Sequence, residues 1–136
     1  AGQHTITVEK DPSLPAGQYY LYMYNNNFGS AKTLPKFNWK KYKGVGSYRK
    51  GKASYYYKYL VDETKKTYQL VQSFKVAVPY SSVVSGVNYI GNNITFSSGM
   101  AHTYGEYDSQ GRLICMYRYK AKRYAYRVMK YKWNIF

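Results

Sequence analysis

Hydrophobic and polar residues alternate along short segments of this chain, and turn-forming residues separate the segments. Alternation with a period of two residues is typical of β-strands that bury one face. In the N-terminal half it predicts strands over residues 5–8 and 19–24, followed by an irregular segment over residues 30–52. Residues 53–61 and 67–74 then predict the two arms of a hairpin.

The C-terminal half continues this pattern with shorter strands and tighter turns. The predicted strands span residues 85–90, 94–98, 102–108, 112–119 and 124–133. Gly111 occupies the position at which a three-residue hairpin loop needs a left-handed backbone. If Asp108 pairs with Arg112 across this hairpin, Glu106 lies opposite Ile114 and Gly105 lies opposite Cys115.

No segment repeats its hydrophobic residues with the period of a helix. We therefore predict an all-β fold of antiparallel hairpins, arranged as propeller-like blades or as a sandwich or barrel, without substantial helix. The 136 residues fit a single domain over residues 1–136, with residues 1–17 as a peripheral strand and connection. No apolar run reaches the ~18 residues that a membrane-spanning helix needs, so no transmembrane segment is predicted.

Charge changes this picture, because 21 Lys and Arg outnumber 6 Asp and Glu and give a net charge of +15. Residues 31–61 and residues 112–136 are rich in lysine and arginine and contain no acid. Two blocks of one sign in a small fold create a strong positive potential, which indicates a polyanionic partner.

Aromatic residues lie among these charges, and the chain has 20 Tyr and 2 Trp. Cationic groups bind phosphates or sulfates, and rings stack on sugars or bases. The candidate ligand-binding residues are Lys36, Trp39, Lys40, Lys41, Tyr42, Lys43, Arg118, Lys120, Lys122, Arg123, Tyr124, Arg127, Lys130, Lys132 and Trp133.

Catalytic constellations find little support in the sequence. Cys115 and His102 would fall on opposite faces of their hairpin in the predicted register, so they cannot act as a nucleophile and base. Glu106 and Asp108 lie near arginines, which favours neutralised charge pairs over a glycosidase dyad. No Cys or His residues have metal-ligand spacing, and no cofactor motif appears. We predict that the chain is not an enzyme and has no cofactor.

A family resemblance rests on residues 85–133. The runs SGVNYIGNNITFSSG, GEYDSQGRLI and YRVMKYKW look like successive strands of β-propeller blades. Together with the high tyrosine and lysine content, this part resembles secreted surface-associated proteins of lactic acid bacteria. Helveticin-type bacteriocins and S-layer-associated proteins belong to that group, so the resemblance implies a secreted β protein of the cell surface.

These observations predict a secreted bacterial surface-binding protein, bacteriocin-like or adhesin-like. It would attach electrostatically to anionic cell-wall polymers such as teichoic acids, or to glycans. Two alternatives stay open: a nucleic-acid-binding module that uses the same residues, and a structural subunit that assembles into a homo-oligomer. The predicted location is outside the cell or at its surface. A start at Ala-Gly-Gln fits a chain trimmed after secretion, and an arbitrary boundary explains it equally well.

Overall fold

The computed structural model describes residues 2–131 and contains two antiparallel sheets of four strands each. The first sheet consists of β1 (Gln3–Glu9), β2 (Gln18–Asn25), β3 (Tyr55–Asp62) and β4 (Thr67–Lys75). The second consists of β5 (Gly86–Ile90), β6 (Asn93–Ser98), β7 (Thr103–Tyr107) and β8 (Leu113–Arg118).

Each strand pairs with the next strand along the chain, so both sheets are simple meanders and neither closes into a barrel. Four-stranded meanders are the units of β-propeller blades. Within residues 2–131 the only helical element is one 3-10 turn, Trp39–Lys41, and no helix is long and apolar enough to cross a membrane. The all-β prediction is confirmed, whereas the extent of the domain stays a prediction.

The core lies between the two sheets and consists mainly of aromatic rings. Phe96 on β6 is fully buried and lies 4.8 Å from the ring of Tyr107, 5.6 Å from Tyr56 and 5.7 Å from Phe74 between centroids. The Tyr107 hydroxyl accepts hydrogen bonds of 3.0 Å from the backbone N–H groups of residues 77 and 78. A buried phenol hydroxyl needs hydrogen-bond partners. These two bonds also attach the connection between the sheets, residues 76–85, to the packed rings.

A charged and phenolic cluster closes one edge of this interface. Lys58 on β3 lies 2.7 Å from the Glu9 carboxylate and 4.2 Å from the ring centroid of Tyr20. Beside it, the hydroxyls of Tyr56 and Tyr89 are hydrogen-bonded to each other across the two sheets. Burial raises the pKa of the Tyr56 phenol, so this pair stays protonated and neutral.

The hairpin of β7 and β8 differs from the predicted register by one residue. Glu106 lies opposite Cys115, and Gly105 lies opposite Met116, because a bulge interrupts the pairing between Glu106 and Tyr107. The bulge adds the extra residue Ile114 to β8, which the simple pairing rule did not include.

The last predicted strand, residues 124–133, is wrong for the part that the structure describes. Residues 124–131 form no strand, and residues 128–130 lie across the outer face of the second sheet. The Asn88 side-chain amide donates to the Val128 carbonyl at 3.2 Å, and Lys130 pairs with Glu106 on β7. Two backbone hydrogen bonds also hold the segment, from the Ser85 N–H to the Tyr126 carbonyl at 3.2 Å and from the Ala125 N–H to the Gly99 carbonyl at 3.3 Å, but residues 124–131 form no strand ladder.

We predict that Phe96→Ala lowers the free energy of unfolding by about 3–5 kcal/mol, because it opens a cavity among four rings. Urea denaturation monitored by circular dichroism measures this change. Phe37→Ala is the matched control: Phe37 lies in a loop with 39% of its surface exposed, against 0% for Phe96. Equal losses for the two variants would contradict a core centred on Phe96.

Candidate functional site

Four segments meet at one end of the strands and form a surface that we call the loop end. It consists of residues 26–54, 76–85, 99–102 and 119–125. The Tyr80 hydroxyl donates to the Ser47 carbonyl at 2.9 Å, and the Ser82 hydroxyl donates to the Tyr48 carbonyl at 2.7 Å. These bonds hold the long basic loop against the connection between the two sheets.

Two glycines allow this contact. A Cβ atom added at Gly46 or Gly51 would overlap the ring of Tyr80, so the backbone of the basic loop lies directly on that ring. Only residues without a side chain permit such an approach. The glycine-rich stretch that interrupted the sequence pattern is therefore ordered by Tyr80.

Charge is separated between the two ends of the strands. The loop end contains no acidic residue, and its basic residues are Lys32, Lys36, Lys40, Lys41, Lys43, Arg49, Lys50, Lys52, Lys120, Lys122 and Arg123. All six acids lie at or beyond the other ends of the strands: Glu9, Asp11, Asp62, Glu63, Glu106 and Asp108. A surface with one sign of charge attracts small anions and raises their local concentration.

His102 lies in the turn between β6 and β7, within the loop end. Its Nε2 is 2.9 Å from the carbonyl oxygen of Arg123. A carbonyl only accepts, so Nε2 carries the proton and the lone pair is on Nδ1. The rings of Tyr119 and Tyr124 flank the imidazole at 5.5 and 6.4 Å between centroids. The site thus combines a fixed imidazole tautomer with aromatic walls and nearby cations.

Backbone strain is concentrated around the same end. Six non-glycine residues among those described have positive φ, and five of them lie in or next to the loop end: Thr5, Asn27, Val84, Ser85 and His102. Val84, at φ 49°, is β-branched and strongly disfavours this conformation. His102 has φ 48°. Strained residues cluster at functional sites, where the surrounding structure holds a side chain in a set direction.

A buried polar layer supports the loop end from below. The Asn26 side-chain amide donates to the carbonyls of Ser81 at 2.7 Å and Val84 at 2.8 Å. Burial raises the pKa of the neighbouring Tyr24 phenol to about 12. Among the described residues, the side-chain oxygens of Asn26, Ser97 and Ser98 have no hydrogen-bond partner in the protein. Such groups bind ordered water in folded proteins.

The predicted ligand-binding residues fall into two groups. Lys36, Trp39, Lys40, Lys41, Tyr42, Lys43, Arg118, Lys120, Lys122, Arg123 and Tyr124 lie at the loop end or immediately beside it. Arg127 and Lys130 lie on the outer face of the second sheet, where Lys130 is paired with Glu106. Lys132 and Trp133 lie outside the described residues. The assignment of these side chains to a ligand stays a prediction.

Sequence reasoning placed His102 at the start of a strand and gave it no role. The structure places it in a turn with a left-handed backbone, so its side chain follows no strand face. One feature of the sequence indicated a turn at this position: residues 99–101, Gly-Met-Ala, include no β-branched residue and show no alternation typical of a strand. The prediction of opposite faces for His102 and Cys115 rested on a register that the bulge shifts, because Cys115 lies opposite Glu106 and not Gly105. Cys115 pairs with Glu106 on β7, four residues or about 13 Å along the strand from His102.

The fold and charge together define an all-β protein of two blade-like four-stranded sheets with an acid-free, basic end. A family model described as arylsulfotransferase (ASST) matches residues 1–134. The chain therefore belongs to the arylsulfotransferase family. No curated protein and no solved structure matches it.

Family membership corrects several predictions. The resemblance to helveticin-type and S-layer-associated proteins is wrong, because the matching family is a different one. The prediction of a surface-binding bacteriocin or adhesin on teichoic acids is also wrong, as is the prediction that the chain is not an enzyme. The two alternatives, a nucleic-acid-binding module and a structural subunit, receive no support from this family. Basic and aromatic composition is common to proteins that bind anionic polymers and to proteins that bind small aromatic anions.

The predicted location is supported in its coarser form. Members of this family are typically periplasmic or secreted, which agrees with export from the cytoplasm. The predicted partners, namely an anionic polymer or glycan, nucleic acid and further copies of the chain, stay predictions.

The contact between Lys130 and Glu106 generates a test of how residues 124–131 are held. The Lys130 ammonium and the Asn93 amide lower the pKa of Glu106 from its usual 4.5. Because the pKa of Glu106 is lower in the folded state, its ionised carboxylate stabilises the fold at every pH above the ordinary pKa of the group. This stabilisation is lost as the pH falls through the lowered pKa of the folded state. We predict that Glu106→Gln speeds amide hydrogen exchange in residues 124–131 several-fold at neutral pH, read at Ala125, whose N–H donates to the Gly99 carbonyl at 3.3 Å. Below the pKa of Glu106 this difference should disappear.

Asp108→Asn is the matched control, because Asp108 pairs with Arg112 at 2.6 Å in the turn after β7 and does not contact this segment. Its exchange in residues 124–131 should equal that of the unmodified chain. Unchanged exchange in Glu106→Gln would show that other contacts hold the segment.

Proposed function

We propose that this chain is a sulfuryl-transfer enzyme of the arylsulfotransferase type, and that its reaction takes place at the loop end. The observation that carries the proposal is the family match over residues 1–134. In this reaction a sulfuryl group leaves an aryl sulfate and is received by the hydroxyl of a phenol. The donor is an anion with an aromatic body, and the loop end offers cations and rings.

The charge distribution supports binding of the donor. A sulfate ester carries one negative charge, and the acid-free loop end attracts it while the acidic ends of the strands do not. Lys120, Lys122 and Arg123 follow β8 and are exposed next to the His102 turn. Cationic side chains near sulfuryl oxygens stabilise the charge that develops there during transfer.

His102 is the proposed nucleophile. Its Nδ1 lone pair attacks the sulfur, an N–S bond forms, and the S–O bond to the aryl group breaks with release of a phenolate. An acceptor phenol then attacks the sulfur, the N–S bond breaks, and the phenol proton is lost to solvent. The Arg123 carbonyl holds the imidazole through Nε2 and leaves Nδ1 available for this step.

The aromatic side chains around His102 support binding of the aryl groups. The rings of Tyr119 and Tyr124 lie near the imidazole, and rings of this kind pack against planar ligands edge to face or in offset stacks. The location of the family's members supports a reaction outside the cytoplasm, because they are typically periplasmic or secreted. Location at the cell surface stays a prediction.

The test measures transfer from 4-nitrophenyl sulfate to phenol, with release of nitrophenolate followed by absorbance. We expect acceptor-dependent release by the unmodified chain. His102→Gln should lower the rate on the order of 100-fold or more, the scale that a positioned catalytic group contributes.

His4→Gln is the matched control, since the chain has only two histidines and His4, on β1, has its Nδ1 3.3 Å from the Gly2 carbonyl oxygen. It should retain the rate of the unmodified chain. Absence of any acceptor-dependent release would contradict the proposed function. Equal rates for His102→Gln and the unmodified chain would support the proposed activity and contradict the role of His102 as its nucleophile.

A further inference from the structure

The long basic loop of the loop end forms a pocket of about 320 Å³, which we call the loop pocket. Its principal lining residues are Gly29, Phe37, Trp39, Lys40, Val45 and Gly46. Pockets that bind small molecules have volumes of about 300–1,000 Å³, so this one suits a ligand of one or two rings. Neither His102 nor residues 119–125 line it, so the loop pocket is separate from the site proposed for sulfuryl transfer.

The backbone under the loop pocket is held by contacts within the fold. The Gly29 N–H donates to the Gly46 carbonyl at 3.0 Å, and the Gly46 N–H donates to the Asn27 carbonyl at 2.8 Å. The ring of Tyr80 lies against Gly46 from the connection between the sheets. A Cβ atom added at Gly29 would come within 2.7 Å of the Trp39 Cβ, so only glycine lets Trp39 pack on this backbone. The pocket is therefore preformed, which lowers the entropy cost of binding a ligand.

Three aromatic rings stand together at the loop pocket. The ring centroid of Phe37 lies 4.7 Å from that of Trp39, at an interplanar angle of 61°, and 5.7 Å from that of Tyr42, at 22°. None of the three belongs to the core cluster between the sheets, and Phe37 and Tyr42 are exposed. Rings ordered in this way offer faces and edges to another planar ring. The loop pocket thus favours an aromatic ligand over an inorganic ion.

Charge then decides which aromatic ligand fits. Lys40 lines the pocket, and Lys36, Lys41 and Lys43 lie next to its rings in the chain. Within the part of the chain that the structure describes, none of these four ammonium groups pairs with a carboxylate, and the loop end has no acid. Aromatic rings alone would also attract a cation, but uncompensated lysines repel it and attract an anion.

We propose that the loop pocket binds a planar aromatic anion, with the aromatic ring against Phe37 and Trp39 and the negative group beside Lys40. The ligand class follows from the lining: the rings select a planar body, and the lysines select a negative charge. The proposal goes beyond the proposed function, since binding here needs no reaction at His102.

The experiment titrates the unmodified chain with 2-naphthalenesulfonate at physiological salt and follows amide chemical shifts by NMR. A sulfonate has no ester bond to transfer, so this probe reports binding alone. We expect saturable shifts in residues 37–47. Two further probes separate the ring from the charge: 2-naphthalenesulfonamide keeps the rings without the charge, and methanesulfonate keeps the charge without the rings. Each should bind several-fold more weakly than 2-naphthalenesulfonate.

Two variants test the lining. Trp39→Leu removes the largest ring and should weaken binding of 2-naphthalenesulfonate about 10-fold, the scale of a good ring-to-ring contact. Lys40→Gln should weaken it several-fold, because it removes one exposed charge and leaves the rings in place. This second variant keeps the test valid if the loss of Trp39 disturbs the loop.

The controls make the same changes at exposed residues outside the lining. Lys32→Gln removes a charge elsewhere in the basic loop, and Tyr68→Leu removes a ring that is 77% exposed on β4. Both should bind 2-naphthalenesulfonate as the unmodified chain does. Unchanged amide shifts in the strands show that each variant keeps the fold.

Several results would overturn the proposal. They are the absence of saturable shifts, shifts confined to residues 102 and 119–125, equal affinity for the neutral sulfonamide, and equal affinity in Lys40→Gln. Saturable shifts in residues 37–47 of a chain that shows no sulfuryl transfer would support the loop pocket and contradict the proposed function alone.

Discussion

The packing of aromatic rings between two four-stranded sheets is the interaction on which the rest of this structure depends. Phe96 lies at its centre, and Tyr107 joins it to the connection between the sheets through two backbone hydrogen bonds. That connection also binds the long basic loop through Tyr80 and Ser82. The loop end is therefore held by the same contacts that hold the sheets together, and a change in the core would displace the site.

Strand order explains how one end of the molecule became acid-free. In a meander of four strands, alternate connections lie at the same end, so the longest connection, residues 26–54, lies at the end opposite the turns of residues 63–66 and 108–112. Here residues 26–54 carry eight lysines and arginines, and all six acids lie in or near the opposite ends of the strands. The result is a cationic surface around an imidazole with a fixed tautomer. Such a surface suits an anionic aryl sulfate, in agreement with membership of the arylsulfotransferase family.

The sequence predicted the strands well, because alternation and turn residues are local signals. It failed where a distant contact decided the outcome. The alternating segment 124–131 looked like a strand but lies on a sheet face, and the bulge at Ile114 shifted a register that pairing rules alone could not fix. The two basic blocks could be read from the sequence. The contact between the His102 imidazole and the Arg123 carbonyl could not, because the two residues are 21 positions apart in the chain. Function was misjudged because basic and aromatic residues serve polymer binding and aryl sulfate chemistry alike.

The central claim is that His102 at the loop end receives the sulfuryl group. The most direct test incubates the chain with an aryl sulfate that carries ³⁵S, stops the reaction early and maps the label on peptides. The account predicts label on His102, lost again when phenol is added before the reaction is stopped. Label on a tyrosine or serine, or no retained label during turnover, would contradict it.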